Sequence, residues 1–212
     1  MVEDGTLQQI MNSYLTNSVI TFDTVEDMVE STFLIDGSNC RTLGYYQIGD
    51  NGGALYHIVE DNPNITGQIE LDSGLYAYLI IENDTINVKQ FGAVGDGITD
   101  ETTILQTALN YGAKNVIFDK GTYIISSCLY PKGNIFGINK NETIIKFPNQ
   151  NPVIEPVLTN SILFFLEIND FEVKNICLEG SYISGSATGG SAHCITLRHC
   201  ENVSIHDVFF KN

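Results

Sequence analysis

The sequence predicts a mainly β protein, with a small N-terminal β-rich module followed by a parallel β-solenoid. Three observations carry this. Short β-branched and aromatic runs separated by Gly, Asn and Asp recur along the chain. Two of these runs superpose at a fixed offset. One well-formed helical pattern stands between the two parts.

Residues 4–17 read as a short helix. Thr6 followed by Gln9 fits a capping box, and Leu7, Ile10, Met11, Tyr14 and Leu15 form one apolar stripe. So short a helix is marginal alone. Its stripe packs either within its own domain or against copies of itself in a trimeric bundle.

Residues 18–86 read as a compact β-rich module. Thr24 caps a short helix through Met28 and Val29. Strand-like runs follow at 42–46, 54–59 and 75–81, rich in Tyr and Ile. Gly49-Asp50-Asn51-Gly52-Gly53 and Asp61-Asn62-Pro63-Asn64 punctuate them.

Residues 99–112 form the clearest helical pattern. Thr99 or Asp100 is the expected cap, and Asp100-Glu101 place negative charge at the N-terminus. Ile104, Leu105, Ala108 and Leu109 make the buried face, with Gly112 as the C′ residue.

Beyond Gly112 come β-branched runs at 116–118, 123–125, 134–138, 143–147, 171–178 and 203–210. In the last two, Phe171 matches Val203, Val173 matches Ile205, Asn175 matches Asp207, Ile176 matches Val208 and Leu178 matches Phe210, an offset of 32 residues. Such a repeat predicts coils stacked about 4.8 Å apart, with inward apolar columns and Asn or Asp at the bends. An antiparallel sandwich would show more two-residue hairpin turns. The run 203–210 reads as one inner strand with nothing to cap it, so continuation beyond Asn212 is expected.

Composition narrows the function classes. The chain of 212 residues is 43% apolar, enough for a packed core, and only 17% charged, which argues against disorder. Ten Lys and Arg face twenty-six Asp and Glu, a net charge of −16. Without a basic cluster, nucleic-acid binding is not expected, and an anionic membrane would repel the chain. There is no apolar run long enough to span a bilayer and no signal-peptide pattern, so a soluble protein made in a cytoplasm is expected. The odd, irregularly spaced set Cys40, Cys128, Cys177, Cys194 and Cys200 reads as reduced, buried side chains.

Candidate chemistry is sparse. His193, Cys194, His199, Cys200 and His206 lie close in sequence, but in a strand the Cys and His pairs fall on opposite faces, so neither metal nor cofactor is expected. Glycoside cleavage needs two carboxylates about 5–9.5 Å apart. Glu167, Asp170, Glu172, Glu179, Glu201 and Asp207 are available, but no spacing pairs any two, and no catalytic residue is assigned. Gly92, Gly95 and Gly97 precede a helix yet lack dinucleotide-loop spacing, so they read as a tight turn in which Asp96 and Asp100 bond amides.

One motif is specific. Phe91-Gly92-Ala93-Val94-Gly95-Asp96-Gly97-Ile98-Thr99-Asp100-Glu101-Thr102, the helix, then Val116-Ile117-Phe118-Asp119-Lys120-Gly121-Thr122-Tyr123 resemble the N-terminal signature of the pectate-lyase-like superfamily. Asp119 stands where that family often has Pro. The resemblance covers roughly residues 88–128 and implies a right-handed parallel β-helix whose open end is plugged by the helix.

Upstream, residues 17–28, Thr42-Leu43-Gly44-Tyr45-Tyr46, Gly49-Asp50-Asn51-Gly52-Gly53-Ala54 and Tyr56 resemble the module preceding the β-helix in phage tail spikes and neck appendages. Glu3-Asp4-Gly5-Thr6-Leu7 resembles the end of a longer helical attachment stalk. The resemblances imply a stalk or linker at 1–17, an attachment module at 18–86 and a β-helix beginning at 87. They imply a homotrimeric virion protein, assembled in the host cytoplasm, with tail or neck proteins and a host surface polysaccharide or teichoic acid as partners. Depolymerase activity is left open for a longer protein and not expected of these residues alone. The alternatives are a secreted polysaccharide lyase or hydrolase, against which the 18–86 module argues, and a structural spacer.

Overall fold

The structure, a computed structural model, describes residues 18–150, 161–182 and 193–211, with Gln9, Met11, Ser13 and Tyr14. Those four residues are helical, and Met11 and Tyr14 are exposed. The rest of the expected helix over 4–17 lies outside the described residues. The chain divides into two compact units, residues 1–82 and 83–212.

The first unit is a five-stranded mixed sheet in the order β1-β2-β3-β5-β4. Its strands are β1 (Val19–Phe22), β2 (Asn39–Thr42), β3 (Leu55–Val59), β4 (Ile69–Glu70) and β5 (Tyr76–Leu79). Only β1 and β2 run parallel. Helix α1 (Val25–Val29) starts at Thr24, whose hydroxyl accepts the Asp27 N–H at 3.1 Å, while the Asp27 carboxylate accepts the Thr24 N–H at 3.0 Å. Met28, Cys40, Tyr56, Ile58 and Ala77 fill the core.

The expected strand at 42–46 ends at Thr42. The Asp50 carboxylate accepts the N–H groups of Tyr45, Tyr46 and Gln47, so they cannot join a ladder. Tyr suits sheets, which makes a strand the expectation there; a carboxylate three to five residues further along the chain overrides that preference.

The second unit is a parallel β-helix. One sheet stacks β6 (Thr85–Asn87), β8 (Asn115–Phe118), β10 (Asn134–Gly137), β13 (Phe171–Lys174) and β16 (Val203–His206). A second stacks β7 (Asp96–Asp100), β9 (Gly121–Ile124), β11 (Thr143–Gln150), β14 (Cys177–Tyr182) and β17 (Phe209–Lys211). A third pairs β12 (Ser161–Leu166) with β15 (His193–Arg198). All pairings in this unit are parallel.

The 32-residue superposition is the register itself. Phe171 pairs with Val203, Val173 with Ile205 and Leu178 with Phe210. Asn175 and Asp207 take φ of 56° and 52°, turning the chain between sheets. Each expected eight-residue run is therefore two strands with a left-handed corner between them. Inward side chains stack as Ile86-Val116-Ile135-Val173 and Tyr123-Ile145-Leu178, all buried. Each such burial contributes about 1.5–3 kcal/mol.

Helix α2 is Thr102–Asn110, shorter than expected, because Asp96–Asp100 is strand β7. Neither Thr99 nor Asp100 is its cap: the N-cap position is Glu101, whose side chain makes no cap bond. Asp100 accepts the Thr102 N–H at 3.0 Å, and Gly112 has φ +104° just past the helix. Leu105, Ala108 and Leu109 are buried, while Ile104 is half-buried. A β-carbon on Gly121 would lie 2.8 Å from the Gly95 carbonyl oxygen, so glycine lets these turns cross.

Candidate functional site

The outer face of the first β-helix sheet carries a cluster of charged side chains. Outward side chains alternate with the inward columns, so register decides which of them meet. Lys174 pairs in register with His206, and Glu172 with Ser204. Glu172 accepts from Lys174 at 2.8 Å and sits 2.6 Å from His206 Nε2. His206 Nδ1 lies 3.1 Å from Asp207, which also accepts from Lys140 at 3.2 Å. Lys174 stands 4.3 Å from the centroid of the Phe136 ring, and Lys140 stands 5.0 Å from that of Phe209.

Thus the structure joins two of the six candidate carboxylates, Glu172 and Asp207, through His206. Hydrogen bonds from Lys174 and then His206 hold the Glu172 carboxyl below its ordinary range. Those from His206 and then Lys140 do the same for Asp207. The imidazole is raised in turn by Asp207 and Glu172. A general acid for glycoside cleavage needs a raised carboxyl pKa. This pair is held ionised and suits hydrogen bonding to hydroxyls or cations instead.

The other candidates separate. Glu179 bonds Lys146 at 2.6 Å and lies 3.6 Å from Lys211, on the second sheet. Glu167 and Asp170 take left-handed corners with φ of 56° and 57°, and Asp170 accepts from Asn202. The Glu201 N–H donates to the Asn169 side chain at 2.7 Å. His193 is exposed, and Cys194 and Cys200 are half-buried with thiols directed at the carbonyls of Leu178 and Phe165. Cys40, Cys128 and Cys177 are buried, and burial pushes the Cys40 and Cys128 thiols up to about 12. No group of three or more His, Cys, Asp and Glu among the described residues is placed to hold a metal.

Glu101 does more than place charge at the start of α2, which its sequence position does not show. It is fully buried, and its carboxylate accepts the N–H groups of Val94 and Gly95. Burial raises its pKa against those bonds. The amides that a phosphate would use are therefore taken by the protein's own carboxylate. The only sequence signal was an acid placed just before the helix. A second device is a polar ladder: Asn115 donates to Thr85 at 3.2 Å, Asn134 to Asn115 at 2.7 Å, and the Glu172 N–H to Asn134 at 2.7 Å.

Comparison with known proteins agrees with this architecture. The chain is 30% identical to the pre-neck appendage protein of Bacillus phage phi29 over 157 residues, covering 65% of this chain and 17% of that protein. It is 37% identical to a mannuronan C5-epimerase of Azotobacter vinelandii over 73 residues, covering 28% of this chain and 7% of that one. The chain thus spans a small fraction of these relatives. A tailspike capsular polysaccharide depolymerase of Acinetobacter baumannii bacteriophage Fri1 superposes with a TM-score of 0.62 at 15% identity, over 92% of this chain and 40% of that one. A glycan biofilm modifying enzyme of Pantoea stewartii, with a tailspike-like parallel β-helix, superposes at 0.61 and 15% identity, over 93% of this chain and 30% of that one. These superpositions bear on the fold. Residues 85–212 match the model for rhamnogalacturonase A/epimerase, pectate lyase-like. The β-helix, its stacked register and this match over more than half of its length place the chain in the rhamnogalacturonase A/epimerase, pectate lyase-like family.

Proposed function

We propose that the chain is the N-terminal part of a phage tail spike or neck appendage. Residues 1–17 serve as stalk or linker, residues 18–82 rather than the expected 18–86 attach the protein to the particle, since Thr85–Asn87 is already strand β6, and the β-helix that begins there supports recognition of a host surface polysaccharide or teichoic acid. Helix α2 plugs the first coil. The protein is a homotrimer, assembled in the host cytoplasm and carried on the virion. The observation that carries this reading is the 30% identity to the phi29 pre-neck appendage protein over 65% of the chain. The charged face around Glu172, Lys174 and His206 supports glycan contact by hydrogen bonding rather than cleavage.

Mass spectrometry of gradient-purified particles tests the reading. Peptides of this chain are expected in the particles, at three copies per appendage. Chain found only in the particle-free supernatant would overturn it. A polysaccharide-modifying enzyme on the same coils is the second reading, favoured by the identity to the mannuronan C5-epimerase. It predicts altered alginate or wall glycan after incubation with the chain, where the first predicts binding without turnover.

A further inference from the structure

Charge is divided unequally between the two units. Residues 1–82 hold thirteen Asp and Glu against one Arg, and residues 83–212 hold thirteen against nine Lys and Arg. The first unit therefore carries −12 of the net −16. Its one cation, Arg41, lies 3.8 Å from Glu82.

Within this acidic unit, the loop between β2 and β3 presents large apolar side chains to solvent. Leu43, Tyr46 and Ile48 are 41%, 59% and 60% exposed. The loop has a fixed frame. The Asp50 carboxylate accepts four backbone N–H groups, from Tyr45 at 3.0 Å, Tyr46 at 2.8 Å, Gln47 at 3.2 Å and Gly52 at 2.7 Å. A β-carbon on Gly44 would lie 1.8 Å from the Gln47 carbonyl oxygen, so the frame tolerates only glycine there. Folding has already ordered the backbone that displays these side chains, so binding through them carries a reduced entropic cost.

We propose that residues 43–52 are the surface through which the N-terminal module docks onto a basic protein surface of the particle. This rests on the particle reading above and adds the contact site and the partner's chemistry. Charge decides among the occupants. Nucleic acid and anionic membrane have the wrong sign. A Lys- and Arg-bearing protein surface is complementary. The unit's field steers it, and Leu43, Tyr46 and Ile48 supply the apolar centre that a specific interface needs.

The test uses particles grown with the wild-type gene or with the double variant Tyr46→Ser/Ile48→Ser. Copies of the variant per particle are expected to fall about tenfold or more. Its melting temperature should match wild type, since both side chains are solvent-exposed. Hydrogen exchange supplies a second readout without mutation. Residues 43–52 should exchange more slowly in wild-type particles than in the free chain, and roughly 1 M salt should reverse the difference. A folded double variant incorporated at wild-type level overturns the docking assignment, as does a particle-bound chain whose 43–52 amides gain no protection. Absence of the wild-type chain from particles overturns the particle reading, and the docking site with it.

Discussion

The two units solve one problem, the pairing of short strands, in opposite ways. In residues 18–82 the sheet order β1-β2-β3-β5-β4 departs from chain order, and single side chains fix the connections, as Asp50 does for four amides. In residues 83–211 each strand lies on its counterpart one coil earlier, and the same solution recurs at every level. The difference teaches where a substitution acts. In the first unit its effect stays within a loop or turn. In the β-helix it meets the coil above and the coil below.

The largest effect that sharpens this contrast is expected from Leu105→Asp. Leu105 is fully buried, and an unpaired charge there costs about 3–5 kcal/mol. Thermal unfolding followed by circular dichroism should show a lowered midpoint or aggregation on expression. A wild-type midpoint would remove α2 from the core of the first coil.

A matched pair of glycine substitutions comes next. A β-carbon at Gly137 would lie 2.1 Å from the Asn175 carbonyl oxygen on the adjoining coil, whereas at Gly49, with φ +82°, nothing lies within 4 Å. Gly137→Ala should therefore cost about 3 kcal/mol and Gly49→Ala about 1 kcal/mol in denaturant titration. Equal costs would break the comparison. Equal in size to Gly49→Ala is Thr24→Ala, which removes the capping box of α1 and should cost about 1 kcal/mol, read from the same titration.

The smallest effect is pH-dependent. His206 is raised above its ordinary 6.5, so its contribution is complete below that value and is lost as pH rises through the higher folded value. Glu172 and Asp207 are lowered from 4.5 and 3.8, so theirs is complete above those values and is lost as pH falls through the lower folded ones. The junction between β13 and β16 should be firmest between pH 4.5 and 6.5. These groups are exposed and screened. An NMR titration of His206 should give a midpoint above 6.5 that drops in Glu172→Gln. A midpoint unmoved by that substitution would dissolve the bridge.

The β-helix was legible where its code repeats. Phe171 over Val203 and Leu178 over Phe210 could be aligned because inward positions need the same apolar type at each level. The corners at Asn175 and Asp207 followed from residues that tolerate left-handed backbone. Strand β12 was missed. Ile162, Leu163, Phe164 and Phe165 are all buried, so the segment lacks the alternation that marks a strand. The bridge of His206 to Glu172 joins residues 34 apart and emerges only once register is known. The burial of Glu101 is not legible in the sequence because its partners, Val94 and Gly95, lie on a loop whose path no local pattern reveals.

The stacking has a mechanical consequence. Backbone hydrogen bonds between coils point along the β-helix axis, so axial tension loads every bond at one junction together and successive junctions in series. Among the described residues, three strand pairs join the coil of β10–β12 to that of β13–β15. Two join each of the other pairs of neighbouring coils, and at the first junction one of the two, β7 with β9, carries a register shift that leaves only Asp96 with Thr122 and Asp100 with Ile124 in register. The first junction is the weak link, and a pulling experiment along the axis should see it rupture first. The Asn115 bond to Thr85 and the Glu101 N–H bond to the Ile124 carbonyl cross that junction as tethers, taking up strain that the ladder there shares among fewer bonds.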